Sequence, residues 1–170
     1  MTILVASALP DSEPIMASDT LTVDGTTRYY ASDKIIRVGD ALIGFAGYAK
    51  PIHTCRTLLA PIEAPDVYTI LDCMRAAVDG LGKKKCRMSA LHMTRSGEIT
   101  ILDAEGSMMP QGLFGAIGAG AEAAMGAAFG AARGGLRDNT VMATIAVQAA
   151  IRIAELCGGE VDLRTLPTLN

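Results

Sequence analysis

Met1-Thr2-Ile3-Leu4-Val5-Ala6-Ser7 opens the chain, and most of the fold can be worked outward from it. Residues 2–7 form a short apolar run, which reads as a buried strand. Ala8-Leu9-Pro10-Asp11-Ser12-Glu13-Pro14 is a turn by its Pro, Asp and Ser content. Ile15-Met16-Ala17-Ser18 is a second apolar run, and it ends on Asp19. Two such strands joined by a turn make a hairpin, which returns Asp19 to the side of Thr2. Thr2 directly follows Met1, and its small side chain predicts that Met1 is trimmed. Trimming leaves a hydroxyl and a free α-amine on one residue. An amine of pKa about 7.7–8 is a usable base near neutral pH. A threonine hydroxyl is a weak nucleophile until a base takes its proton, and an N-terminal threonine carries that base itself. Ser32-Asp33-Lys34-Ile35-Ile36 adds a third group. A lysine beside a short carboxylate stays oriented, and its charge lowers the pKa of a neighbouring amine or hydroxyl.

The chain continues in blocks. Residues 20–30 are polar and contain Gly25, a loop or weak strand that leans towards β at Tyr29-Tyr30. Residues 34–38 and 41–45 read as strands joined by Gly39-Asp40, a plausible two-residue turn. Gly44-Phe45-Ala46-Gly47 closes this meander and opens a helix over about 48–61. Asp66 is a reasonable N-cap for a helix over 67–82, with Val67, Ile70, Leu71, Met74, Ala77, Val78 and Leu81 at helical spacing and Gly82 at its close. Residues 87–94 and 98–103 flank Arg95-Ser96-Gly97 as a second hairpin. His92 sits mid-strand and reads as structural; His53 reads as a surface residue of the first helix, with the edge of a substrate pocket as the alternative. Residues 107–109 and 113–117 continue the strands. Gly118-Ala119-Gly120 opens a long Ala/Gly/Met helix to about Arg133. Asn139 or Thr140 caps a last helix over 141–157, with Val141, Ile145, Ala149 and Ile153 on one apolar face, and 160–166 reads as a final strand.

Composition bounds the class. A chain of 170 residues is one domain, 1–170, by the length prior and can bury a core without staples. Half the residues are apolar, with no Trp, four Tyr and three Phe, so the core is aliphatic and Ala/Met-rich. The net charge is −3 and no basic stripe argues for nucleic acid; Lys83-Lys84-Lys85 reads as a solvated helix end. Cys55, Cys73, Cys86 and Cys157 lack CxxC spacing and paired histidines, so they read as thiols in a reducing compartment rather than a zinc site or disulfide framework. No secretory signal is visible, and a cytoplasmic location is expected. The apolar stretch 112–130 is interrupted by glycines and Glu122, so it reads as a buried strand plus helix and not as a membrane span. No cofactor and no metal are expected.

Strands and helices in blocks, without βαβ alternation, argue an α+β fold. Two apolar strand blocks stack face to face with a helix pair outside each, giving a four-layer αββα sandwich of two antiparallel sheets.

At Thr2-Ile3-Leu4-Val5-Ala6, Ala17-Ser18-Asp19, Asp33-Lys34-Ile35-Ile36-Arg37-Val38, Leu42-Ile43-Gly44-Phe45-Ala46-Gly47 and Ala116-Ile117-Gly118-Ala119-Gly120, the chain resembles the proteasome β-subunit family, closest in size to the bacterial HslV peptidase. Lys34 lies 32 residues after Thr2, the spacing this family uses for its catalytic lysine. The resemblance spans about residues 2–165. It implies the N-terminal-nucleophile hydrolase fold and a threonine-type peptidase. Thr2 would be the nucleophile, with Lys34 and Asp19 setting its electrostatics and the Gly47 amide donating to the oxyanion. Ile36, Phe45 and Ala49 are the candidate substrate-pocket residues. The implied substrate is an unfolded polypeptide or peptide, cleaved inside homo-oligomeric stacked rings. Gly80-Leu81-Gly82-Lys83 is not a phosphate-binding loop, so any unfolding ATPase of the AAA+ type would be a separate partner. The chain departs from the family at Ala119, where a serine is usual. It also departs near the C-terminus, where Glu160 or Asp162 is the nearest acidic group. Two other readings stand beside the peptidase: a catalytically silent ring subunit that kept the fold, and an amidohydrolase of the same nucleophile class acting on small amides.

Overall fold

The computed structural model describes residues 2–24, 27–31, 33–79 and 87–166. Met1, the closure of the second helix at Gly82, the Lys83-Lys84-Lys85 run and Cys86 lie outside the described residues. In chain order the elements are β1 (Ile3–Ser7), β2 (Ile15–Asp19), β3 (Leu21–Asp24), β4 (Thr27–Tyr30), β5 (Ile35–Val38), β6 (Ala41–Gly47), α1 (Ala49–Leu59) and α2 (Val67–Asp79). They continue with β7 (Met88–Thr94), β8 (Ile99–Asp103), β9 (Met108–Gln111), β10 (Phe114–Gly118), α3 (Ala121–Arg133), α4 (Asn139–Ile153) and β11 (Val161–Thr165).

Every residue of β1 and β2 is buried, which is why both read as unbroken apolar runs rather than alternating ones. They lie at the centre of an antiparallel sheet ordered β10-β1-β2-β11. A second antiparallel sheet is ordered β5-β6-β7-β8-β9. Successive side chains of a strand point to opposite faces, and β1 uses both. Ile3 and Val5 pack with Met142, Ala146 and Ala150 of α4 and with Ala124 and Ala128 of α3. Leu4 and Ala6 pack between the sheets with Leu42, Leu91, Met93 and Ile99. A third core joins Ile43, Phe45, Ala90 and Leu102 to Cys55 and Leu59 of α1 and to Ile70, Met74 and Ala77 of α2. Three cores between successive layers make the expected α+β four-layer sandwich. Each fully buried Leu, Ile or Met contributes roughly 1.5–3 kcal/mol, and the alanines of α3 and α4 let those helices lie close.

Residues 20–30 form more structure than a loop or weak strand. β3 and β4 pair as a separate antiparallel hairpin with Leu21 opposite Tyr30, so six strands, not four, precede the first helix. Threonine, tyrosine and valine favour an extended chain here even though β4 is exposed throughout. The start of α4 also needs correction. Its N-cap is Asp138, whose Oδ1 accepts from the Val141 N–H at 2.9 Å. Asn139 is fully buried and bonds elsewhere. The helix ends at Ile153 and not Cys157, because Ala154 turns to extended backbone (ψ 118°). The buried face of the helix carries Met142, Ala143, Ala146, Val147 and Ala150, while Val141, Ile145 and Ile153 of the expected face are exposed. Asp66 does cap α2, accepting from the Thr69 N–H at 2.7 Å. Residues 112–130 divide between β10 and α3, and among the described residues no helix is long and apolar enough to cross a membrane.

Candidate active site

The β1–β2 hairpin pairs Leu4 with Ser18, which leaves Thr2 and Asp19 together at its open end. Asp19 is fully buried and is the hub of the cluster. Its Oδ1 accepts from the Thr2 hydroxyl at 2.7 Å, the Ile3 N–H at 3.0 Å and the Lys34 ammonium at 2.7 Å. Its Oδ2 accepts from the Gly158 N–H at 3.0 Å. Lys34 precedes β5, and its Nζ also donates to the Leu21 carbonyl. A buried carboxylate is tolerated because four donors meet it.

Burial pulls the Lys34 ammonium below the ordinary lysine pKa, and the hydrogen bond and charge of Asp19 pull the other way. Cys157 stands 6 % exposed in the loop after α4. Burial and then the Asp19 charge push its thiol up to about 11, with Lys34 opposing. The thiol is therefore neutral at pH 7 and a poor nucleophile.

Two glycines shape the centre. Gly118, at φ +106°, ends β10 against Thr2; a Cβ there would lie 1.9 Å from the Thr2 carbonyl oxygen. That carbonyl accepts from the Ala119 N–H at 2.9 Å, so the 118–120 turn grips the Thr2 main chain. Ala119 brings no hydroxyl. Gly47, at φ +141°, ends β6, and a Cβ there would meet the Arg87 carbonyl at 2.3 Å. Only glycine fits both this dihedral and this approach. α1 begins two residues later, with no side-chain N-cap and no acidic residue in its first turn. Pro51 is accommodated there because first-turn N–H groups have no helical partner. The free N-terminus of α1 favours negative charge.

Thr2, Lys34 and Gly47 line one cleft of about 340 Å³. Phe45 and Ala49 also line it, with Ile52, His53 and Arg56 along the same stripe of α1. Val23 and Tyr29 of the β3–β4 hairpin form another part of its wall. Ile36 is not among the lining residues; it packs into the core under α1 and α2. His53 is exposed within the cleft, whereas His92 is buried in β7 and away from it. Glu160 and Asp162 stand apart from Asp19's bonds; the Glu160 N–H donates to Thr20 Oγ1, and Asp162 accepts from Arg164. Arg56, which lines the cleft, and Gly158, whose N–H donates to Asp19, carry no motif in the sequence. Among the described residues no cluster of His, Cys, Asp or Glu could hold a metal ion.

No protein-family model and no curated protein matches the chain. Solved structures do. BPH from Thiobacillus denitrificans, in complex with epoxomicin, superposes with a TM-score of 0.79 at 23% identity, over 98% of this chain and all of that one. Eukaryotic HslV from Trypanosoma brucei gives 0.70 at 16% identity, covering 95% and 97%. Anbu, described as an ancestral beta-subunit, from Yersinia bercovieri gives 0.72 at 15% identity, covering 97% of this chain and 81% of that one. Over nearly its whole length, then, the chain has the N-terminal-nucleophile hydrolase fold in its proteasome β-subunit-like form.

Proposed function

We propose that the chain is a threonine-type peptidase subunit in which Thr2, freed by removal of Met1, attacks the peptide bond. The observation that carries this reading is the convergence of Thr2 Oγ1, Ile3 N and Lys34 Nζ on one buried oxygen of Asp19. In the reaction, the α-amine of Thr2 takes the hydroxyl proton, directly or through water, and Oγ1 adds to the carbonyl carbon. Lys34 keeps the electrostatic field positive at that point and Asp19 orients Lys34. The Gly47 N–H, at the free N-terminus of α1, stabilises the oxyanion. The amine returns its proton to the departing nitrogen, and water then hydrolyses the ester. The apolar part of the cleft, with Phe45, Ala49 and Ile52, takes a substrate side chain. The substrate is an unfolded polypeptide or peptide. Exposed Phe129, Tyr68 and Ile153 support burial between subunits of a homo-oligomeric ring stack, and a separate AAA+ ATPase would supply any unfolding.

Intact mass before and after treatment with an epoxyketone tests the reading. Epoxomicin is the apt probe, since the structurally similar BPH is described with it bound. Loss of Met1 and a single adduct at Thr2 are expected, and Thr2→Ala abolishes adduct and peptidase turnover alike. Ala119 favours a second reading, a silent ring subunit, because one positioned hydroxyl is worth roughly 10²–10⁴ in rate. Retained Met1, or a free Thr2 that never reacts, selects it.

A further inference from the structure

Lys34 is not held by a strand. It and Asp33 precede β5, outside any ladder, yet its ammonium must stay 2.7 Å from Asp19. A bond from the helical layer reaches this segment. Arg56 of α1 donates through one guanidinium nitrogen to the Asp33 main-chain carbonyl and through the other to Asp33 Oδ2 at 3.4 Å. The two bonds differ in kind. The Asp33 carboxylate is 77% exposed, so its ion pair with Arg56 is solvent-screened and contributes little. The Arg56 side chain is 24% exposed, and the main-chain carbonyl is an acceptor on the residue next to Lys34.

We propose that Arg56 is a positioning residue for Lys34: its guanidinium latches the Asp33 carbonyl to α1 and so keeps Lys34 seated on Asp19. Arg56 and Asp33 both line the cleft that holds Thr2, so the latch is also part of its wall. The latch itself stands on geometry alone, and only its effect on chemistry rests on the proposed role of Thr2. A planar fork that spans a carbonyl and a carboxylate suits arginine and not lysine.

Reductive dimethylation of the full-length protein, mapped by peptide mass spectrometry, reads the seating of Lys34 directly. In the wild type Lys34 reacts slowly, because its side chain is 8% exposed, while exposed Lys50 serves as the internal reference. Arg56→Ala speeds Lys34 labelling by about tenfold to a hundredfold, the factor expected for one lost charge-assisted bond. Lys50 is unchanged, and added methylguanidinium restores protection. Asp33→Asn, which keeps the main-chain acceptor, leaves Lys34 protected. Arg56→Lys, a milder change should the alanine variant not fold, gives intermediate labelling. Wild-type labelling of Lys34 in Arg56→Ala overturns the latch, as does equal exposure in Asp33→Asn. Epoxomicin capture is run in parallel. Failure of the wild type to be captured sinks the Thr2 reading while the labelling result still decides the latch. Slower capture in Arg56→Ala, recovered by methylguanidinium, joins the two.

Discussion

Replacing Asn139 by alanine should cost far more than replacing its neighbour Asp138, although both stand at the same helix start. Asn139 is fully buried, and its side chain reaches across to the β1–β2 turn. Its Oδ1 accepts from the Ser7 hydroxyl at 2.6 Å and the Leu9 N–H at 2.8 Å. Its Nδ2 donates to the carbonyls of Ser12 at 3.1 Å and Glu13 at 3.0 Å. Alanine strands the Ser7 hydroxyl and the Leu9 N–H, both on buried residues, at about 1–3 kcal/mol each, or roughly 2–6 kcal/mol together. Water can rescue the carbonyls of Ser12 and Glu13, which lie nearer the surface. For a chain of this size about 1 kcal/mol moves Tm by roughly 2–4 °C, so a loss of roughly 2–6 kcal/mol lowers the midpoint by about 4–24 °C. Asp138→Ala removes an exposed N-cap and costs about 1 kcal/mol, hence roughly 2–4 °C. Thermal unfolding followed by circular dichroism at one protein concentration measures both. Asn139→Asp should not rescue, because it sets an anion against the Ser12 and Glu13 carbonyls. Equal midpoints for Asn139→Ala and Asp138→Ala would refute the claim that Asn139 ties α4 to the hairpin carrying Thr2 and Asp19.

Other outcomes follow from the same geometry. Lys34→Met leaves a buried Asp19 charge unpaired and should lose roughly 3–5 kcal/mol in urea unfolding. The Lys34→Met/Asp19→Asn double variant should regain part of that stability but no epoxomicin capture; full stability in the single variant would contradict the buried pair. His92 is 5% exposed, and burial lowers its pKa below the ordinary value, against a smaller opposing pull from Glu98. The unfolded state therefore binds a proton that the folded state resists, and stability falls as pH drops below about 6.5. His92→Leu should flatten that part of the Tm–pH curve, and an unchanged slope would exclude His92 as its source. Cys157 and Cys55, with thiols raised to about 11 and about 12, should resist iodoacetamide at neutral pH in the native protein and react once unfolded in urea. Mapped native labelling at Cys157 would show that its loop opens.

The layers were legible because buried strands advertise themselves. Ile3-Leu4-Val5-Ala6 and Ile15-Met16-Ala17 are apolar on both faces, and a helix cannot be confused with runs so short between turn residues. The hairpin β3–β4 reads only as a loop or weak strand, because β4 is exposed throughout and β3 buries Leu21 in a largely polar stretch, so pairing with each other is what makes them strands. The start of α4 is ambiguous in the sequence because Asn and Asp are both good caps, and tertiary contact alone decides that Asn139 turns inward while Asp138 caps. Thr2, Asp19 and Lys34 are singled out by residue type together with the resemblance to the proteasome β-subunit family, and they stand within hydrogen-bond reach of one another. Ile36 and Phe45 could not be told apart, since alternation along a strand says which residues share a face but not which face meets a cleft. Arg56 and Gly158 carried no local signal, as each acts through a backbone group brought close by the rest of the chain.

Asp19 gathers its four donors from places far apart along the polypeptide, and the most distant, Gly158, lies 139 residues downstream. That separation sets a schedule for the nascent chain. The β1–β2 hairpin can form soon after it leaves the ribosome, but the carboxylate then has a free oxygen and nothing opposite β2 on its outer side. β11, which covers that edge, begins only at Val161, long after β2 has been made. Until it docks, burying Asp19 is unfavourable and Lys34 has no dry pocket in which to sit. Whatever reactivity resides at Thr2 is thus withheld until Gly158 and β11 have been made and have closed over Asp19.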